Sequence, residues 1–219
     1  DNFQNLKIDK ISFKYGNNYI FKNINFEINK FDKIGISGNS GIGKTTLLYL
    51  IIGFYECASG KILYNNINII DSLNKFNARI GFVPQKISLL NENIKKNIAF
   101  GLNDNDIDLT KIKKLLHMVK LEDFVSKLPN GLETTISEMG NNISGGQIQR
   151  IAIARALYFD PEIIIFDEAS NAIDQKTEFE IYDNLFKEFH DKTFILISHR
   201  KETLNMCNKI FDISLNKMI

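Results

Sequence analysis

The chain has 219 residues, 27 basic and 26 acidic side chains and a formal charge of +1. The interspersed charges lack the basic face that nucleic acid requires, so no nucleic-acid partner is expected. No apolar run approaches the ~20 residues of a membrane-spanning helix, and no signal-peptide pattern is present. Cys57 and Cys207 stand in neither a CxxC nor a Cys/His arrangement, so both read as reduced packing residues rather than zinc ligands. The first residue is Asp1 rather than Met, and a longer parent polypeptide is expected.

In chain order, 7–13 and 21–28 alternate apolar and polar residues and predict half-buried antiparallel strands. The run KIGIS at 33–37 predicts a short strand entering a glycine-rich loop, and 44–52 predicts a helix. Further strands are expected over 61–64 and 80–83. From 93 to 159 helix-like periodicity dominates. The runs IIIF at 163–166 and TFILIS at 193–198 are continuously apolar, as in central strands of a parallel sheet covered by helices. A helix over 177–190 separates them, a βαβ pattern. With no repeats and no proline cluster, the chain is treated as one domain over 1–219. Its expected architecture is an α/β core with an N-terminal antiparallel β layer and a helical insertion over about 86–149.

GNSGIGKT at 38–45 satisfies G-x-x-x-x-G-K-[ST] between a predicted strand and a predicted helix, the context that a phosphate-binding loop requires. Gly38, Gly41 and Gly43 let the backbone wrap close to a triphosphate and aim N–H groups at its oxygens. Lys44 is placed at the β- and γ-phosphates and the Thr45 hydroxyl on Mg²⁺. IIIFDE at 163–168 is an apolar strand ending in two carboxylates. Asp167 suits the Mg²⁺ shell, and Glu168 suits polarising the water that attacks the γ-phosphate. A second glycine-rich element, SGGQ at 144–147, precedes a helix-like run and has the composition of a helix start that faces phosphate. His117 and His190 read as filler residues, whereas His199 directly follows the strand TFILIS, where parallel-sheet ligands gather.

The order of the phosphate loop, ISGGQ at 143–147 and IIIFDE resembles the nucleotide-binding domain of ABC transporters over nearly the whole chain. The departure in the signature is Ile143, where leucine is commoner. The resemblance implies a P-loop NTPase (RecA-like) core that binds ATP with Mg²⁺. It implies that Asn39, Ser40, Gly41, Ile42, Gly43, Lys44, Thr45 and Thr46 cradle the nucleotide, with Tyr15 stacked on adenine. GFVPQ at 81–85 resembles the Q-loop, which makes Gln85 a ligand of Mg²⁺ or of the attacking water. ISHR at 197–200 resembles the switch region, which makes His199 a γ-phosphate contact. The resemblance further implies head-to-tail pairing with a second such domain, giving a homodimer. Ser144, Gly145, Gly146 and Gln147 then cap the ATP held by the partner's loop, and Asp174 in DEASNAID (167–174) reaches across the interface. Lys44, Gln85, Glu168 and His199 are thereby the catalytic set.

FVPQKISLLNENIKKNIAFG and LPNGLETTISEMGNNISGGQ resemble the exporter-type pattern. Glu138 lies at the position of a glutamate that contacts the transmembrane domain, so coupling helices of that domain are expected near Gln85 and Glu138. The family's Gly-Glu-Arg-Gly is here Ser137, Glu138, Met139 and Gly140, and Asn171 and Ile173 are also unusual. The implied whole is a half-transporter at the cytoplasmic face of the inner membrane, with some likeness to flippases of lipid-linked oligosaccharides. Two alternatives are a soluble ABC ATPase uncoupled from transport and a regulatory nucleotide-binding module. The short helical insertion argues against the first, and the presence of Glu168 and His199 against the second.

Overall fold

A computed structural model describes residues 2–139 and 143–219. It begins with the hairpin of β1 (Asn5–Tyr15) and β2 (Asn18–Asn29), then β3 (Lys33–Ser37), α1 (Lys44–Ile51), β4 (Ser59–Tyr64), β5 (Ile67–Asn68) and α2 (Leu73–Asn77). β6 (Ile80–Val83) leads into α3 (Ile94–Ile98), α4 (Leu109–Met118), α5 (Glu122–Ser126), α6 (Ile136–Met139) and α7 (Gly145–Tyr158). The chain closes with β7 (Ile163–Asp167), α8 (Gln175–Glu188), β8 (Thr193–Ile197), α9 (Lys201–Leu204), β9 (Lys209–Asp212) and β10 (Lys217–Met218). No described helix is long and apolar enough to cross a membrane.

The chain divides into two compact units. The first comprises Asp1–Ile80, Glu162–Asp167 and Asp191–Ile219. Its antiparallel sheet has the order β2-β1-β4-β5, and its second sheet runs β10-β9-β3-β8-β7. Burial alternates along β2 from Ile24 to Asn29, as expected of a strand with one covered face. β1 is interrupted: Lys10 takes a φ of 53°, and its register with β2 shifts between Ile8 and Ile11. Gly60 of β4 faces this bulge, where a Cβ would lie 2.4 Å from the Lys10 carbonyl oxygen. Phe26 of β2 stacks on Phe211 of β9 with ring centroids 4.0 Å apart, joining the two layers.

β7 and β8 are buried at every residue, the condition under which an unbroken apolar run is a strand of a parallel sheet. They pair in parallel from Ile163↔Thr193 to Asp167↔Ile197, and β3 runs parallel to both β8 and β9. The carboxyl ends of β3, β7 and β8 therefore open at one edge, where ligands of α/β sheets bind. Burial pushes the thiol of Cys207 up to about 12 and raises that of Cys57.

The second unit comprises Gly81–Pro161 and Glu168–His190. α7 packs on α3 and α4, and α4 also meets α5 and α8. α4 buries Ile112, Leu115, Leu116 and Met118, one stripe of an amphipathic helix, and Asp108 caps its start by accepting from the Thr110 and Lys111 amides. The fully buried Asn97 donates to the carbonyls of Leu90, Glu92 and Asn93. Arg155 of α7 in turn donates to the Asn97 side chain and to the carbonyls of Asn97 and Ser88. This network satisfies the carbonyls of Ser88, Leu90, Glu92 and Asn93 in the irregular 88–93 segment.

Candidate nucleotide site

In the first unit β3 ends at Ser37 and the loop 38–43 delivers the chain to α1. Gly38, Gly41 and Gly43 take φ values of 144°, 77° and 103°, a region that side chains with a Cβ avoid. A Cβ on Gly43 would lie 2.5 Å from Ile20 Cγ2, and one on Gly38 2.6 Å from Ile213 Cγ2. At Gly41 nothing lies within 4 Å, so the middle of the loop faces open space. Ile42 N donates to the Asn39 carbonyl, closing the turn, while Asn39 and Ser40 are exposed. The buried Lys44 ammonium donates to the carbonyls of Gly38 and Asn39 at 3.0 and 3.1 Å, so the cation lies over its own loop. Thr46 is half-buried in the first turn of α1.

The Thr45 hydroxyl donates to Asp167 Oδ1 at 3.0 Å, joining the start of α1 to the end of β7. Asp167 is fully buried. A hydroxyl and a carboxylate oxygen side by side are hard donors that suit Mg²⁺, so the residues present fit that ion. Among the described residues no group of three or more His, Cys, Asp or Glu gathers as a metal cage. His199 is exposed two residues beyond Ile197, the register partner of Asp167. Tyr15, half exposed at the end of β1, packs edge-on against Phe13 and Tyr55 at 4.9 and 5.9 Å.

In the second unit Gln85 Nε2 donates to Glu168 Oε2 at 2.7 Å. Glu168 takes a φ of 50°, a strained value for a residue with a side chain. Asn171 Nδ2 donates to the same Oε2 at 2.7 Å. The sequence marks Asn171 only as unusual; the signal that could have exposed it is a side-chain amide three residues beyond a carboxylate, within reach across one tight turn.

Ser144 caps α7 with a reciprocal box: its Oγ accepts from Gln147 N at 3.2 Å and its N donates to Gln147 Oε1 at 2.8 Å. Gly145 and Gly146 serve a purpose beyond exposing N–H groups. Cβ atoms on them would lie 3.1 Å from Ala172 Cβ and 2.9 Å from Ala172 O, so the 170–173 segment packs on the start of α7. Gln149 Oε1 accepts from Ala172 N at 2.8 Å. Asp174 caps α8 by accepting from Thr177 N at 3.0 Å. Hydrogen bonds from Thr177 hold the Asp174 carboxyl below the usual carboxylate range, with the Arg150 charge adding to them. Burial lowers the Arg150 guanidinium, and Asp174 opposes that shift. The side chain of Glu138 and residues 140–142 lie outside the described residues.

Within the first unit the fold thus brings Thr45 and Asp167 together, and within the second Gln85 and Glu168. Residues 21–171 match the family described as ABC transporter. The chain belongs to the ABC transporter family. Its fold is that of the ABC nucleotide-binding domain, with a P-loop NTPase core. It is 38% identical over 209 residues to the lactococcin-G-processing and transport ATP-binding protein LagD of Lactococcus lactis subsp. lactis, covering 94% of this chain and 29% of that protein. It is 35% identical to the ATP-dependent lipid A-core flippase of Ralstonia nicotianae, covering 94% of this chain and 35% of that one. A solved structure of a bacterial Atm1-family ABC exporter with ATP bound aligns with a TM-score of 0.89 at 32% identity, covering 97% of this chain and 37% of the exporter. The chain therefore spans about a third of the length of these ABC proteins.

Proposed function

We propose that this chain is the ATP-hydrolysing motor domain of an ABC exporter, acting as a head-to-tail pair at the cytoplasmic face of a membrane. The observation that carries the reading is the Thr45–Asp167 contact at 3.0 Å, with Glu168 one residue on and in the grip of Gln85. The loop amides and Lys44 bind the triphosphate and neutralise its charge, and the aromatic face of Tyr15 receives the adenine. Thr45 and Asp167 would hold Mg²⁺, which when bound neutralises charge developing on the phosphoryl oxygens. Gln85 Oε1 would meet the same ion or the attacking water. Glu168 accepts a proton from that water, and His199 orients the γ-phosphate. Ser144, Gly145 and Gly146 present the start of α7 to a nucleotide on the second copy, where the helix end carries about half a positive charge. Asp174, at the end of the 170–174 turn, would meet that copy. The coupling helices of a membrane domain would dock near Gln85 and Glu138.

The test is turnover of Mg²⁺-ATP with and without Glu168→Gln. Removal of a positioned proton-transfer group is expected to cost ~10²–10⁴-fold in rate while leaving ATP bound and the pair closed. Equal turnover by the two proteins would refute the role of Glu168. Absence of turnover in both would favour a regulatory module.

A further inference from the structure

Glu168 Oε2 accepts two side-chain amides, from Gln85 and from Asn171, each at 2.7 Å. The first belongs to the set already described; the second does not. We propose that Asn171 is a positioning residue for Glu168, tying the orientation of its carboxylate to the start of α7. The proposal rests on the role given to Glu168 above.

A glutamate side chain has several rotatable bonds, and a single donor leaves it freedom to swing. Two donors converging on one oxygen select one orientation, and catalytic groups lose large factors in rate when displaced by an ångström. The Glu168 backbone at φ 50° and the Asn171 N–H, which donates to the Glu168 carbonyl at 3.3 Å, fold the 168–171 turn so that the amide reaches back.

The turn is itself anchored at both ends. Ser170 donates its hydroxyl to Glu178 of α8, and both side chains are buried. Ala172 donates its N–H to Gln149 of α7 at 2.8 Å and packs against Gly145 and Gly146. A continuous set of contacts therefore runs from the glycines that open α7, through Ala172 and Asn171, to Glu168. The Asn171 amide thus joins the Glu168 carboxylate to the segment that packs on these glycines.

The experiment measures steady-state Mg²⁺-ATP turnover, ATP affinity and thermal midpoint on the full chain. Asn171→Ala is expected to lower kcat roughly tenfold, the size expected for one hydrogen bond to a charged group, with KM for ATP within about twofold. Asn171→Gln, which keeps an amide donor, is expected to recover most of the loss, and the isosteric Asn171→Asp is not. In a Glu168→Gln background, Asn171→Ala is expected to add nothing, because the group it positions is no longer a base. A loss that persists on top of Glu168→Gln overturns the tether alone, as does an effect confined to KM or a failure of Asn171→Gln to recover activity. Normal turnover by Glu168→Gln overturns the role of Glu168 and this proposal with it.

Discussion

Two glycines of the phosphate loop differ in what a methyl group would meet. Gly43 has both a positive φ and a neighbour, since its Cβ would lie 2.5 Å from Ile20 Cγ2 and 3.3 Å from the Phe21 ring. Gly41 has the positive φ alone. Gly41→Ala is expected to cost about 1 kcal/mol through the backbone, and Gly43→Ala about 2–3 kcal/mol once the clash is added. Chemical denaturation of the two variants checks this, and a larger loss for Gly41→Ala would remove the steric account. The motif spacing identifies both positions, yet nothing in it separates a glycine needed for a turn from one needed for packing. Ile20 and Phe21 stand in a strand that the motif does not include. Asn171 is the same kind of omission: the sequence shows an odd residue, and only the 168–171 turn shows what its amide touches.

At the level of helices, the cap of α7 serves the fold and, in the proposed pair, the site as well. Ser144→Ala removes half of the capping box and is expected to cost about 1 kcal/mol by denaturation. Asp174 caps α8, and Thr177 holds its carboxyl below the usual range. A depressed carboxylate contributes stability that is present above its unfolded value, about 3.9. That contribution is lost as pH falls through the lower, folded value. Asp174→Asn caps without a charge, so its stability should fall less steeply on the acid side than that of the parent chain. Thermal midpoints measured across the acid range test this, and two parallel curves would sink it. Helices and central strands were legible because their residues obey strong patterns; β7 and β8 are buried throughout and apolar except for Asp167 and Thr193 at their ends. β9 was not, because Lys209–Asp212 is short and half-buried, without alternation. It is secured by tertiary contacts instead: Asn208 N donates to the Lys33 carbonyl, and the Lys209 ammonium meets Asp32 at 2.7 Å.

For the molecule as a whole, the proposed property to test is pairing. With a formal charge of +1 the chain neither strongly repels nor strongly attracts its own copy at long range. In the proposed pair, association then falls to the shared nucleotides. In a Glu168→Gln background ATP is expected to convert monomers to dimers by light scattering, and Ser144→Arg is expected to prevent this while leaving ATP affinity within about threefold, less than 1 kcal/mol. Loss of ATP affinity in the Ser144→Arg monomer would show that Ser144 serves its own copy's nucleotide. The division into two units was the part hardest to read, because each is assembled from separated stretches of chain.

The burial of both thiols has a practical corollary for watching such motions. Electrophilic dyes and spin labels attack the thiolate, and a group with a pKa of about 12 supplies almost none of it near neutrality. Cys207 should therefore stay unmodified under brief maleimide treatment of the folded chain, and Cys57 should react slowly, as intact-mass spectrometry would show. Probes could then be installed at chosen surface positions without first stripping the native sulfur from the protein.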